Sequence, residues 1–188
     1  MHGRPDPSEF APYFQRYLDL VPEDDILTAL RDQMGSTAAI LGAIDEERSL
    51  YRYAPGKWTI KQVIGHVGDT ERILAYRALS ISRGETNPLP GYDEDSYVRG
   101  ADFDGWPFAD LVDSLTVVRR ANIMMFSHLT PEAWNRRGIA NDTSTSVRGL
   151  AYTILGHERH HLRVLREKYG VQGSGLGAQG SDRMGGGV

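Results

Sequence analysis

The residues with the clearest chemical potential are three histidines that fall within five positions, in the run His157-Glu-Arg-His-His161. On a helix, residues four positions apart lie one above the other. His157 and His161 can therefore point two imidazoles at one metal ion, whereas His160 faces elsewhere. Two imidazoles on a buried face would be costly to desolvate without a shared partner. The spacing predicts two ligands of a metal site on one helix.

A further ligand has to come from another part of the chain, because a stable site needs more than two protein ligands. The chain has no cysteine, which leaves histidine or a carboxylate. His66 is the leading candidate, since Gly65-His66 and Gly156-His157 repeat the same apolar-Gly-His step. A glycine before each ligand would let two helices approach closely where the histidines meet.

The same run matches the H-E-x-x-H pattern of zinc proteases, in which Glu158 would be the general base. That interpretation requires a third ligand downstream and a sheet that aligns the substrate. After His161 the only acids are Glu167 and Asp182. A protease is therefore the weaker hypothesis, and we expect Glu158 and Arg159 to occupy the outer faces of their helix.

Composition narrows the possible functions. The 188 residues suit a single domain, and 40% hydrophobic residues can bury an ordinary core. A net charge of −4 and the lack of a lysine- or arginine-rich block disfavour nucleic-acid binding. No apolar run approaches the ~20 residues that span a bilayer, and no signal peptide is evident. We therefore expect a cytoplasmic protein without a membrane partner.

Apolar residues recur with helical spacing in four long segments, which predicts an all-α fold, an antiparallel four-helix bundle. The predicted helices span residues 24–47, 59–82, 107–129 and 147–169. Thr59 and Gln62 are spaced as a capping box at the start of the second helix, and Gly170 is placed to end the fourth. No segment shows a strand pattern.

The remaining segments are predicted to wrap the bundle. Aromatic residues in the segment 8–21 favour a short N-terminal docking helix. The connection 85–106 is long and rich in proline and glycine, with one short helical turn expected at 93–97. A connection of this length typically covers a site or crosses the end of a bundle. We expect one domain over residues 1–170 and a disordered glycine-rich tail over 171–188.

Three segments, taken in order, resemble the DinB/YfiT family of metalloenzymes. They are residues 54–72, 88–97 and 156–162. They contain a Trp-Thr opening, a histidine inside the second long helix and His-x-x-x-His on the last helix. The resemblance covers most of residues 13–169 and implies a four-helix bundle, often dimeric, with a divalent metal ion bound by three histidines. Carried over residue by residue, these ligands are His66, His157 and His161.

The resemblance also implies an activity. Family members with a known activity are small-thiol S-transferases or thiol-dependent isomerases, and many others are called hydrolases. It therefore implies a metal-dependent transferase or hydrolase that attacks a small-molecule electrophile with metal-bound water or an external low-molecular-weight thiol. Zinc or nickel is the expected ion, and a homodimer is expected. The alternative is a non-catalytic metal-binding or stress-response module.

Side chains near the expected site could orient a ligand or move a proton. Asp69 follows His66 by nearly one helical turn, and the connection 85–106 contributes Tyr92. The catalytic candidates are Asp69, Tyr92 and Glu158, and Glu71 and Asp95 are further candidates from the rim. Each could equally be a solvated surface residue or a helix cap.

Overall fold

Four long helices and four short ones account for most of residues 3–172, the part of the chain that the computed structural model describes. The long helices are α2 (Ile26–Leu41), α4 (Ile60–Ser82), α6 (Phe108–Ser127) and α8 (Val147–Tyr169). The short helices are α1 (Gln15–Leu18), α3 (Glu46–Ser49), α5 (Glu94–Gly100) and α7 (Pro131–Asn135). The predicted all-α fold is confirmed. Of the tail predicted over 171–188, positions 173–188 lie outside the described residues.

The long helices form one bundle in which α4 contacts α6 and α8, and α2 contacts the same two helices. Their apolar faces build two separate clusters, one around Phe126, Trp134 and Leu150 and the other around Ile64 and Leu165. The middle turns of α4 and α8 lie between the two clusters. No helix within residues 3–172 has the length and apolar character needed to cross a membrane.

The two helices that carry the histidines begin and end where the sequence predicts. Thr59 accepts a hydrogen bond from the Gln62 amide (3.0 Å), and the Gln62 side chain accepts one from the Thr59 amide (3.0 Å), which completes the capping box. Ser146 caps α8 by accepting from the Gly149 amide at 2.8 Å. Gly170 follows α8 with φ +67°, the left-handed conformation that glycine adopts without strain.

The first predicted helix, 24–47, is shorter than expected. α2 ends at Leu41, and Gly42 is its C-cap. Asp45 then accepts a hydrogen bond from the Arg48 amide at 2.7 Å and starts the separate helix α3. A capping side chain inside an apolar-periodic segment divided one predicted helix into two.

The N-terminal segment packs against α8 as predicted but is not one continuous helix. It consists of the 3-10 turns Pro7–Glu9 and Pro12–Phe14, followed by the four-residue α1. A proline stands at the start of each 3-10 turn, where its fixed φ and missing N–H are tolerated. The aromatic residues therefore reach α8 from irregular backbone as well as from helix.

The prediction that strands are absent was wrong. Strands β1 (Arg137–Ala140) and β2 (Thr143–Ser146) form an antiparallel hairpin that leads into α8. Its two turn residues, Asn141 and Asp142, have φ of 50° and 57°, a region that Asn and Asp enter more readily than other non-glycine residues. The two-residue Asn-Asp turn is visible in the sequence, but the serines and threonines after it also suit the N-terminal cap of a helix, so they do not indicate a strand by themselves.

The glycines before the two candidate ligands His66 and His157 have a different role from the predicted one. A Cβ at Gly65 would lie 2.5 Å from the Phe103 ring, and a Cβ at Gly156 would lie 2.2 Å from the Tyr17 carbonyl oxygen. Because these glycines have no side chain, the connection 85–106 can pack closely against α4, and helix α1 can pack closely against α8. They do not bring α4 and α8 closer to each other.

A buried ion cluster, with the side chains that hydrogen-bond to it, joins all four long helices. Arg119 of α6 donates to both carboxylate oxygens of Glu71 at 2.7 and 2.8 Å, and its Nη2 lies 2.7 Å from Glu158 Oε2. Asn122 also donates to Glu71, and Thr37 of α2 donates to Glu158. Burial alone would lower the pKa of Arg119, but the two carboxylates raise it above its ordinary value.

The expected outward orientation of Glu158 was therefore wrong, because its side chain is only 3% exposed within this cluster. Arg159 is half-buried and donates to both carboxylate oxygens of Glu23 at 2.9 and 2.8 Å. Helical periodicity could not predict this, since both faces of α8 are buried at this level and each has its own polar partners.

We expect Arg119→Met to lower the free energy of unfolding by about 3–5 kcal/mol, because it leaves two buried carboxylates without their cation. Urea unfolding followed by circular dichroism would measure this. Arg120→Met is the matched control, since Arg120 is the exposed neighbour on the same helix, and its effect should stay within about 0.5 kcal/mol. Equal effects of the two substitutions would contradict the assignment.

Candidate metal centre

Three imidazoles from two helices converge in the middle of the bundle. His66 on α4 and His161 on α8 each place Nε2 at 3.1 Å from His157 Nε2. The candidate ligand atoms of all three residues lie within 4.8 Å of one another. His66 and His157 are buried, with 3% and 6% of their surface exposed. The structure thus brings together the three histidines that the sequence singled out.

The contacts between the nitrogens fit a shared cation better than hydrogen bonds. A neutral imidazole nitrogen offers either one proton or one lone pair, so His157 Nε2 cannot form a normal hydrogen bond with both neighbours at once. A divalent ion would accept a lone pair from each ring. The separations of 3.1 Å are short enough for the nitrogens to reach one ion through bonds of ~2.0–2.1 Å.

Burial keeps these imidazoles neutral, as metal ligation requires. It lowers the pKa of His66 to about 4, against a small opposing effect of the Asp95 carboxylate. The pKa values of His157 and His161 also lie well below the ordinary value, first because of burial and then because of the neighbouring histidines. All three rings are therefore available as lone-pair donors at neutral pH.

Neighbouring side chains orient the ligand rings. The Tyr17 ring of α1 meets His157 edge-on at 5.3 Å, and the Trp58 ring lies 4.9 Å from His66. Thr70 Oγ1 makes a long contact of 3.5 Å with His66 Nδ1 and a short hydrogen bond of 2.6 Å with the Tyr92 hydroxyl. Partners of this kind fix the ring orientation of a metal-binding histidine.

Two cavities reach the histidines from different sides. A cavity of about 340 Å³ borders His157, and Thr70 and Tyr92 are among its lining residues. A second cavity of about 330 Å³ borders His161, with Trp58 and Asp95 in its lining. The first lies beneath the N-terminal segment and is the more apolar of the two.

The structure separates the catalytic candidates. Tyr92 lines the cavity at His157, and Asp95 lines the one at His161. Asp69 lines a different cavity together with Phe103 and lies 3.4 Å from Arg72. Burial raises the pKa of Asp69.

The other two acidic candidates, Glu71 and Glu158, are bound in the ion cluster around Arg119. Both carboxylates form ion pairs with Arg119, which is only 2% exposed. The glutamate of the H-E-x-x-H pattern thus belongs to the core packing of the bundle.

Several residues of the site were not predicted from the sequence. Thr70 and Arg77 follow His66 by four and eleven positions on α4, so helical spacing could have identified both. Tyr17 and Trp58 could not be identified in this way, because they come from segments that approach the histidines only in the folded chain.

A model of the DinB superfamily matches residues 29–165, about three quarters of the chain. No curated protein sequence matches significantly. Among solved structures, YfiT from Bacillus subtilis is similar, with a TM-score of 0.69 and 16% identity over 90% of this chain and 94% of that one. It is described as a probable metal-dependent hydrolase with an unusual four-helix bundle topology.

A mycothiol-dependent maleylpyruvate isomerase is also similar, with a TM-score of 0.62 and 13% identity over 77% of this chain. The match spans 61% of that enzyme, so the likeness concerns part of it. At these identities the two solved structures support the fold alone, which is a four-helix bundle. The family is shown by the match to the DinB superfamily model. The chain belongs to the DinB superfamily.

Proposed function

We propose that the protein is a divalent-metal-dependent enzyme that attacks a small electrophile with a thiol or with water. The observation that supports this most directly is the convergence of three imidazole Nε2 atoms beside an apolar cavity. His66, His157 and His161 would hold the ion.

The composition of the ligand group favours catalysis over a purely structural ion. Structural zinc sites are closed by four protein ligands, whereas catalytic sites keep a position open for water or substrate. Within residues 3–172, the group that could hold an ion contains three histidines and no carboxylate. An ion on these ligands would therefore keep a coordination position that faces a cavity.

When bound, such an ion would supply Lewis-acid chemistry that activates a water or a thiol at neutral pH. Residues of the chain would limit the access of water and donate a proton. Tyr17 and Phe14 line the cavity at His157 and would limit the access of water to a bound substrate. Burial raises the pKa of Tyr92, so this hydroxyl stays protonated and can donate to a leaving group. Thr70 fixes its position with the 2.6 Å hydrogen bond.

The nucleophile can be a small thiol or water, and each of the two similar structures supports one of these possibilities. One relative is described as mycothiol-dependent and the other as a probable hydrolase. Because the chain has no cysteine, the sulfur of a transferase reaction has to come from a second substrate. Zinc and nickel both accept three imidazole ligands. The alternative is a non-catalytic metal-binding module.

We expect the purified protein to bind about one divalent ion per chain, because three ligands form one site. His157→Ala should abolish this stoichiometric binding, measured by elemental analysis after dialysis. His160→Ala is the matched control, since it removes a neighbouring imidazole outside the ligand group and should leave the ion bound. Equal retention of metal by both variants would contradict the site.

The pH dependence of metal binding should reflect the lowered histidine pKa values. A lowered pKa favours the neutral ring, so protons compete with the metal only as the pH falls toward about 4, the value for His66. Affinity measured by equilibrium dialysis should be nearly constant between about pH 8 and 5 and fall below that range. A loss that begins near pH 6.5, the ordinary histidine value, would show that the rings are not buried as described.

The metal-loaded protein should consume a low-molecular-weight thiol in the presence of a generic electrophile, or hydrolyse an activated ester, and a chelator should abolish either activity. We expect Tyr92→Phe to lower kcat by about 100-fold while metal content is unchanged, since it removes the proton donor. Tyr76→Phe, at an exposed position of α4, is the control and should retain full activity.

Three outcomes would argue against these assignments. Turnover that persists after complete metal removal would exclude the metal-dependent mechanism. Full activity of Tyr92→Phe would exclude Tyr92 as the donor. Stoichiometric metal without activity toward a broad set of electrophiles, with several thiols and with water, would favour the non-catalytic alternative.

A further inference from the structure

Arg77 of α4 is a buried cation beside the candidate metal centre. The residue is 5% exposed and lines the same cavity as His157. Its Nη2 donates a hydrogen bond of 2.6 Å to the Pro90 carbonyl oxygen. Throughout residues 3–172, no carboxylate lies within ion-pair distance of its guanidinium.

The lack of a carboxylate partner distinguishes Arg77 from other arginines in the interior. Arg119 is paired with two glutamates, and Arg148 is paired with Glu9. Burial lowers the pKa of Arg77, while the neighbouring Tyr92 raises it, and an arginine remains charged at neutral pH. Burying a charge without a counter-charge costs free energy unless a partner of opposite charge pairs with it. Because Arg77 lines a cavity, an anionic ligand could be that partner.

The rest of the cavity indicates the size and shape of the ligand. Tyr13, Phe14 and Tyr17 form an aromatic wall, with ring centroids 5.7 to 6.1 Å apart. Leu74 and Leu150 add aliphatic surface. A volume of about 340 Å³ lies at the lower end of the range for small-molecule sites. These features suit a molecule with about one planar ring.

The charge balance favours a carboxylate over a phosphate. Arg77 is the one cation among the residues that line the cavity, and Glu94 contributes a carboxylate at its exposed edge. A single guanidinium matches the charge and the planar two-oxygen geometry of one carboxylate. A dianionic phosphate would keep an unpaired charge and would be repelled by Glu94.

We propose that this cavity binds a small aromatic or similarly planar carboxylic acid, with its carboxylate on Arg77 and its ring against Tyr13, Phe14 and Tyr17. The proposal rests on the proposed function in taking this cavity as the substrate site. The bound molecule would lie between Arg77 and His157, so its far end would face the candidate metal centre. Arg77 is then a specificity-determining residue that selects acidic electrophiles.

Benzoate and its neutral analogue benzamide are suitable probes, and calorimetric titration of the metal-loaded, full-length protein would measure both affinities. We expect the wild type to bind benzoate at least about tenfold more tightly than benzamide, because only benzoate can form the charge-assisted pair. Arg77→Gln should remove this preference and leave benzamide binding unchanged. Arg83→Gln, an exposed arginine just beyond the end of α4, is the matched control and should keep it.

Arg77→Lys provides a second test that keeps the charge and protects against a folding defect in the Gln variant. Lysine lacks the planar fork, so benzoate should bind severalfold more weakly than to the wild type, with benzamide unchanged. The proposal would be overturned if the wild type showed no preference for benzoate, or if Arg77→Gln kept the full preference. It would also be overturned if Arg77→Lys bound benzoate as tightly as the wild type.

These measurements report binding and not turnover, so they separate this proposal from the proposed function. A protein that binds benzoate through Arg77 but shows no reaction with any nucleophile would support the carboxylate site and count against the enzyme. A protein that reacts with neutral electrophiles but does not bind benzoate would support the enzyme and count against the carboxylate site.

Discussion

The structure depends on a polar layer buried across the middle of the bundle. His66, His157 and His161 form one half of this layer, and the ion cluster around Arg119 forms the other. Apolar clusters lie on both sides of it along α4 and α8. Polar groups buried in this way destabilise a fold unless they satisfy one another. The positions of the long helices are therefore constrained by matched polar partners as well as by apolar packing.

Helix α8 shows how closely the two halves of the layer are linked. Consecutive residues on this helix contact different neighbouring helices, with His157 beside His66 of α4 and Glu158 beside Arg119 of α6. The H-E-x-x-H pattern thus arises because a histidine of the candidate metal centre and a core glutamate are neighbours in sequence. The glutamate forms an ion pair with Arg119, so the pattern has a structural cause here. A short motif can match a protease signature without the arrangement of side chains that the chemistry requires.

Two irregular parts of the chain complete the candidate site. The N-terminal segment lays its aromatic side chains over one side of the histidines, and the connection 85–106 brings Tyr92 to Thr70. Each of these segments packs beside a glycine that precedes a candidate ligand, Gly156 and Gly65 respectively. The helices hold the candidate ligands, and the surrounding segments shape the cavities through which a substrate would reach them.

Much of this arrangement could be predicted from residues near one another in the chain. Helical spacing identified the pair His157 and His161, and the capping box at Thr59 marked the start of α4. Local signals of this kind depend on a few neighbouring residues, so they can be recognised before the fold is known. The Asn-Asp turn of the hairpin was equally local and was missed because the serines and threonines after it also suit a helix cap.

The sequence by itself determined the helical class, the ends of α4 and α8 and the three histidines able to bind one ion. Tertiary structure alone decided that Glu158 faces Arg119, that Asp69 lines a cavity different from those at the histidines and that Arg77 shares a cavity with His157. The physical reason is that periodicity separates buried faces from exposed ones, whereas both faces of α8 are buried at this level. Which buried side chains meet there depends on how distant helices pack, and that is a property of the whole fold.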